Sequence, residues 1–369
     1  MQAWNNFKTG RWMDDIDVRD FVHKNYTPYD GDARFLSAAT DRTKKLWCKC
    51  RELLRQEHNH GGVLDIDTSQ PIKINSHAPG YIDKDLELIT GLQTDYPLKR
   101  AINIYGGLRT TLNACSAYGY KISPQLADFF AKHRPTHNDG VFSVYTPEMK
   151  LARKVGIITG LPDSYGRGRI IGDYRRVPLY GIDFLIEHKK NDLARMPEEM
   201  NADSIQHREE IFKQIEALKA ARDMAWSYGC DISQPATNAQ EAVQWLYFAY
   251  LAAVKEQNGA AMSLGRVSAF LDIYIERDLQ QGRINEERAQ ELIDQLVIKL
   301  RLVRHLRTPE YNELFAGDPN WVTESLGGMG TDGRPLVTKS SFRFLNTLRN
   351  LGPSPEPNMR SEEHTSELQ

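Results

Sequence analysis

The sequence predicts one large α/β unit in which helices predominate. Three observations carry this expectation. Long segments repeat apolar residues at helical spacing, above all 209–228, 238–255 and 286–306. A single early stretch, Ala101-Ile102-Asn103-Ile104-Tyr105, alternates like a strand before Gly106-Gly107 stops it. No low-complexity linker and no internal repeat divides the 369 residues, which favours one unit over two tethered domains.

Taken in order, turn punctuation at Asn25-Tyr26-Thr27-Pro28-Tyr29 and Asp30-Gly31-Asp32 precedes a helical pattern over 33–54. Residues 58–90 read as loop, rich in Asp, Pro and Gly, with a short helix expected over 86–92. The stretch 118–180 is mixed and dense in Gly, Arg and Tyr. In 209–228, Ile211, Ile215, Leu218, Ala221, Met224 and Ala225 share a face and Gly229 ends the helix. Segment 238–255 is apolar on nearly every face, as a helix buried on most sides would be. Helices over 271–279 and 286–306 follow, the second carrying Leu292, Ile293, Leu296, Leu300 and Val303. Glycine-punctuated segments at 325–333 and 352–358 break regular structure.

Charge and composition exclude several classes. Lys and Arg total 47 against 49 Asp and Glu, a net charge of −2 that gives no signal for nucleic acid or an anionic membrane. The longest apolar run, 245–254, is ten residues, whereas a spanning helix needs about 20. No basic stretch followed by an apolar one opens the chain, and four cysteines give no disulfide framework, so a cytoplasmic protein is expected.

Few constellations suggest chemistry on their own. Arg167, Arg169, Arg175 and Arg176 fall within ten residues, flanked by glycines that let a ligand approach the backbone. Guanidinium forks of this kind clamp a carboxylate or phosphate through paired hydrogen bonds. The alternative is internal ion pairing with Asp163 and Asp173. Gly166-x-Gly168-x-x-x-Gly172 lacks a preceding strand and has one residue too many for a dinucleotide loop. Cys48-Lys49-Cys50 has no second pair, His58 and His60 sit in a polar loop, and Asp65 and Asp67 lack further ligands, so no metal site is expected. No cysteine stands in an activated setting, and no Gly-x-Ser-x-Gly elbow or phosphate-cradling loop occurs.

Longer motifs are more specific. Val18-Arg19-Asp20-Phe21 with Asn25-Tyr26-Thr27-Pro28-Tyr29, Gly140-Val141-Phe142-Ser143-Val144-Tyr145-Thr146-Pro147 and Thr159-Gly160-Leu161-Pro162-Asp163 through Arg176 resemble pyruvate formate-lyases. So do Pro235-Ala236-Thr237-Asn238-Ala239-Gln240-Glu241-Ala242, Gln257-Asn258-Gly259-Ala260-Ala261-Met262-Ser263 and Gly352-Pro353-Ser354-Pro355-Glu356-Pro357-Asn358. The resemblance runs from about residue 3 to Met359, which would make 1–359 part of a pyruvate formate-lyase domain. Residues 360–369 read as a foreign or disordered tail.

The resemblance implies a glycyl radical enzyme built on a ten-stranded α/β barrel, here as the N-terminal part, predominantly helical and with the barrel incomplete. Family members convert pyruvate and coenzyme A to acetyl-coenzyme A and formate by homolytic C–C cleavage. They use a glycyl radical, an adjacent cysteine pair and a radical SAM activating enzyme, without a metal in the lyase itself, and they form homodimers. By the same resemblance, Arg169 corresponds to the arginine that holds the pyruvate carboxylate. Phe315, Trp321 and Ala260 line the substrate cavity. Phe142, Arg153, Lys154 and Tyr165 resemble the coenzyme A surface. The cysteine pair and radical glycine have no counterpart among these 369 residues, so no catalytic residue is assigned in this chain. Two further readings stay open: a 2-ketobutyrate formate-lyase, whose substrate is larger by one carbon and leaves little trace in sequence, and a catalytically dead fragment that binds an acid.

Overall fold

Helix starts follow from capping side chains. α1 (Val18–Asn25) opens where the Asp17 carboxylate accepts the Asp20 N–H, and α2 (Asp41–Asn59) where Thr40 accepts from Thr43. The computed structural model describes residues 2–103, 108–133, 144–158, 172–199, 201–257, 261–314, 317 and 319–362. The helix expected over 33–54 therefore begins later, at the Thr40 cap, and runs on to Asn59.

The expected loop 58–90 contains β1 (Ile66–Ile72), which pairs in parallel with β2 (Arg100–Asn103). Residues 86–92 are not a helix, and the reason is visible in their hydrogen bonds. The Leu88 N–H donates to Gln295 Oε1 at 2.6 Å, Thr90 to Gln244 Oε1 at 2.7 Å, and Leu92 to the Tyr228 hydroxyl at 3.2 Å. Buried side chains from distant parts of the chain satisfy backbone donors that a helix would satisfy internally. Gly91, at φ +115°, completes the turn against Leu251 and Tyr247, where a Cβ would crowd both side chains.

The remaining elements are α3 (Leu108–Ala117), α4 (Pro124–His133), α5 (Pro147–Lys154), α6 (Arg176–Tyr180), α7 (Ile182–Ala194), α8 (Ala202–Ser227) and α9 (Ala239–Gln257). Then come α10 (Ser268–Gln280), α11 (Glu286–Arg301), α12 (Pro309–Leu314), β3 (Thr323–Gly327), α13 (Lys339–Leu351) and β4 (Asn358–Glu362). The expected helices at 209–228, 238–255, 271–279 and 286–306 are α8 to α11, shifted at their ends. β3 occupies the start of the 325–333 segment, where glycine-broken structure was expected.

The core lies around α9, α10 and α11. Every residue of α11 from Ala289 to Arg301 is buried, including its polar ones. These are paired, as buried polar groups must be. Lys299 meets Glu87 in an ion pair closed to solvent on both sides. The Arg301 guanidinium donates to the Gly352 and Glu356 carbonyls and lies 4.9 Å from the Trp47 ring.

Strand β3 pairs in parallel with β4 on one side. On its other side it meets the extended chain at 262–265 through Leu264 N–H to Thr323 O and Ser325 N–H to Gly265 O. α10 and α11 connect the first of these strands to the second, and α13 the second to the third, which is the β-α-β logic of a parallel sheet. Among the described residues the strands form two two-stranded parallel sheets and no closed barrel. β4 continues through Glu362, so 360–362, the first residues of the expected tail, pair with β3. Residues 363–369 lie outside the described residues.

Candidate functional site

Three segments singled out in the sequence converge at one end of the parallel strands. Gly172, three residues after Arg169, and Met262, two after Ala260, line one groove of about 540 Å³ with Tyr174, Arg176, Ala249 and Glu256. The Met262 N–H donates to the Asn320 carbonyl at 2.9 Å, which sets the residue before Trp321 beside the same segment. Arg169, Ala260, Phe315, Phe142 and Tyr165 themselves lie outside the described residues.

Trp321 is described, and its backbone is unusual. Its φ is +40°, the left-handed region that non-glycine residues seldom adopt. The two peptides that follow it are each bonded: the Val322 N–H donates to the Glu356 carboxylate, and the Val322 carbonyl accepts from Asn358 N–H at 2.7 Å. The Arg307 guanidinium stands 5.5 Å from the indole ring.

Two of the four arginines are accounted for. Arg175 Nε donates to Asp173 at 2.7 Å and its Nη1 reaches the Arg266 carbonyl at 3.5 Å, while Arg176 lies 3.8 Å from the same carboxylate. The internal pairing weighed for this segment therefore holds for Arg175 and Arg176. Arg167 and Arg169 lie outside the described residues.

A second cavity, of about 600 Å³, is walled by Glu57, His58, Arg304, Asn312, Pro319 and Glu356 among others. Its polar wall is a buried ion cluster. Glu57 takes Arg100 Nη1 on one oxygen at 2.7 Å and Arg304 Nε on the other at 3.3 Å. Burial pushes the Glu356 carboxyl up to about 7, against hydrogen bonds from Val322 and Asn358 N–H groups and the charge of Arg304. Burial likewise raises Glu324 to about 8, although its oxygens accept the Val267 and Ser268 N–H groups that open α10. Sequence reading missed this cluster because Glu57, Arg100, Arg304 and Glu356 share no local pattern; only the fold assembles them.

Arg153 and Lys154 close the last turn of α5, a helix capped by Thr146 and without a buried residue. Arg153 is half-buried and Lys154 exposed, and both complement the negative end of the helix. Burial raises the Cys50 thiol to about 12 and Cys115 to about 11, and raises Cys230 as well. Cys48 is exposed and Cys50 buried, so the pair diverges on α2. Among the described residues there is no group of three metal-binding side chains, and no helix is long and apolar enough to cross a membrane.

The fold is that of glycyl radical enzymes. The B12-independent glycerol dehydratase from Clostridium butyricum superposes with a TM-score of 0.69 at 20% identity, over 91% of this chain and 49% of that one. A glycyl radical enzyme from Archaeoglobus fulgidus gives 0.56 at 17% identity, over 94% and 48%. Likeness at that identity concerns the fold alone. Formate acetyltransferase 1 of Escherichia coli (strain K12) is 56% identical over 362 residues, covering 97% of this chain and 48% of its own length. The pyruvate formate lyase-like family profile covers residues 8–366, and the chain belongs to that family. It spans about half the length of the curated relative it matches.

Proposed function

We propose that this chain is the pyruvate-binding half of a formate C-acetyltransferase, an enzyme that turns pyruvate and coenzyme A into acetyl-coenzyme A and formate in anaerobic glucose fermentation. The observation that carries this reading is the 56% identity to formate acetyltransferase 1 across 97% of the chain. Convergence of the Gly172, Met262 and Asn320 segments supports it, because Arg169, Ala260 and Trp321, three of the four residues proposed to hold and wall pyruvate, flank those points. In the complete protein the parallel strands belong to a ten-stranded barrel, and the enzyme is a cytoplasmic homodimer activated by a radical SAM partner.

The glycyl radical, held in the remainder of the complete protein, supplies the one-electron chemistry. What this chain contributes is placement. Arg169 clamps the pyruvate carboxylate with its planar fork. Ala260, Phe315 and Trp321 form apolar walls that keep water and reactive side chains from the keto carbon. Phe142, Arg153, Lys154 and Tyr165 offer an aromatic surface and cations to coenzyme A. Domain 1–359 carries these roles.

The test is turnover by the complete, activated enzyme with pyruvate and with 2-ketobutyrate side by side. Formate released faster from pyruvate is the expected result. Faster release from 2-ketobutyrate would transfer the reading to that substrate, and release from neither would remove it.

A further inference from the structure

The left-handed backbone of Trp321 requires something to hold it. An L side chain at φ +40° is disfavoured by its own Cβ, so the conformation persists only where the surroundings over-determine it. Three hydrogen bonds do so. Asn320 O accepts from Met262 N–H at 2.9 Å, Val322 O accepts from Asn358 N–H at 2.7 Å, and the Val322 N–H is taken by the Glu356 carboxylate. The first two are strand-pairing bonds that any sequence in this register would make. The third is made by a side chain, and that side chain is 3% exposed.

Glu356 is itself held in place. The Arg301 guanidinium donates from Nε to the Glu356 carbonyl at 3.0 Å and from Nη2 to the Gly352 carbonyl at 2.8 Å, tying the 352–356 turn to the end of α11. Arg301 in turn lies 4.9 Å from the Trp47 ring, against the body of the core. A rigid chain of contacts therefore runs from α11 through the turn to the peptide that follows Trp321. Arg307, itself 2% exposed, lies 5.5 Å from the indole ring.

We propose that Glu356 is a positioning residue for the substrate pocket: its carboxylate fixes the Trp321–Val322 peptide and so sets where the indole stands as a wall for the keto acid. The proposal rests on the reading of Trp321 as a pocket wall, and it adds a residue that never touches substrate. Loss of the acceptor frees the peptide to relax toward ordinary φ, which swings the indole. Gln at 356 keeps a carbonyl oxygen for the Val322 N–H and loses only the charge. Leu at 356 keeps the bulk and loses the acceptor.

The complete enzyme labelled with 5-fluorotryptophan tests this, with the Trp321 resonance assigned by its loss in Trp321→Phe. In Glu356→Leu we expect that resonance to shift or broaden, with KM for pyruvate raised about tenfold and KM for coenzyme A within twofold of wild type. Glu356→Gln should restore both the resonance and the pyruvate KM. An unmoved Trp321 resonance in Glu356→Leu overturns the proposal, as does an equal change in both KM values. If Glu356→Leu does not fold, Glu356→Ala takes its place with the same readouts: a displaced Trp321 resonance there, restored in Glu356→Gln, upholds the acceptor role, and an unmoved one overturns it. If the resonance behaves as expected but wild type turns over no pyruvate, the positioning role stands and the substrate reading falls.

Discussion

The four arginines near residue 170 separate into two kinds. Arg175 and Arg176 share the Asp173 carboxylate at 2.7 and 3.8 Å, so their charge is already engaged within the fold. Arg169 is left as the proposed clamp, by motif. A lysine there keeps the charge and loses the fork, and a lost hydrogen bond to a charged group costs roughly 1.5–3 kcal/mol. Arg169→Lys should therefore lower kcat/KM for pyruvate about 10- to 150-fold, with the coenzyme A dependence little changed. Steady-state kinetics of Arg169→Lys beside Arg175→Lys checks this. Wild-type pyruvate kinetics in Arg169→Lys with a loss in Arg175→Lys would move the clamp to the neighbour. The sequence named the clamp only through its motif; the ion pairs of Arg175 and Arg176 were foreseeable from nearby Asp173, whereas the Glu57–Arg100–Arg304 cluster was not. The buried Lys299–Glu87 pair joins positions 212 residues apart in the chain. Glu87→Ala leaves Lys299 uncompensated and should destabilise by about 3–5 kcal/mol, whereas replacing both by apolar residues of similar volume should cost far less. Unfolding midpoints of the single and double variants in the complete enzyme measure it.

At the scale of elements, periodicity worked where a helix makes its own hydrogen bonds. α11 shows its Leu292, Leu296 and Leu300 spacing plainly and folds as expected, with Asn285 accepting the Arg288 N–H as its cap. It failed where other parts of the chain supply the partners. Residues 86–92 are apolar enough for a helix, yet Gln244 and Gln295 take their N–H groups from outside. β1 was hidden because the polar run Asp67, Thr68, Ser69 and Gln70 interrupts it: only Ile66, Asp67, Pro71 and Ile72 pair with β2, and the register shifts between Asp67 and Pro71. α13 was missed because glycine punctuation before and after it drew attention from its own period. Two substitutions separate these cases. Asn285→Ala should cost about 1 kcal/mol, the usual value for a lost cap. Gln295→Leu should cost about 1–3 kcal/mol, because it strands the buried Leu88 N–H. Comparable losses, or a larger one at Asn285, in denaturant titrations would contradict the distinction.

The whole molecule carries several buried acids whose protonation couples to stability. Burial raises Asp272 from 3.8 to about 6, Asp294 from 3.8 to about 7, Glu356 from 4.5 to about 7 and Glu324 from 4.5 to about 8. Each binds its proton more tightly folded than unfolded, so the unfolded state sheds protons first as pH rises. Their contribution to stability is complete below about pH 4 and is lost progressively up to about pH 8. The melting temperature of the complete enzyme should fall over that interval, and Glu324→Gln, which mimics the protonated form, should flatten the upper part of the decline. A melting temperature that rises through the same range in both proteins would show that these carboxyls do not govern it. The 369-residue chain contains no adjacent cysteine pair, and it covers 48% of formate acetyltransferase 1. Alone it should form no acetyl-coenzyme A, even with the activating enzyme present. Its two-stranded sheets also present edges that have no strand partner among the described residues, so in isolation it should aggregate or bind dyes specific for exposed apolar surface rather than melt cooperatively. The most direct test of the central claim follows pyruvate labelled at its carboxyl carbon through the complete, activated enzyme with coenzyme A. Label recovered in formate, with unlabelled acetyl-coenzyme A in equal amount, is the predicted result; label retained in pyruvate or released as carbon dioxide would contradict it.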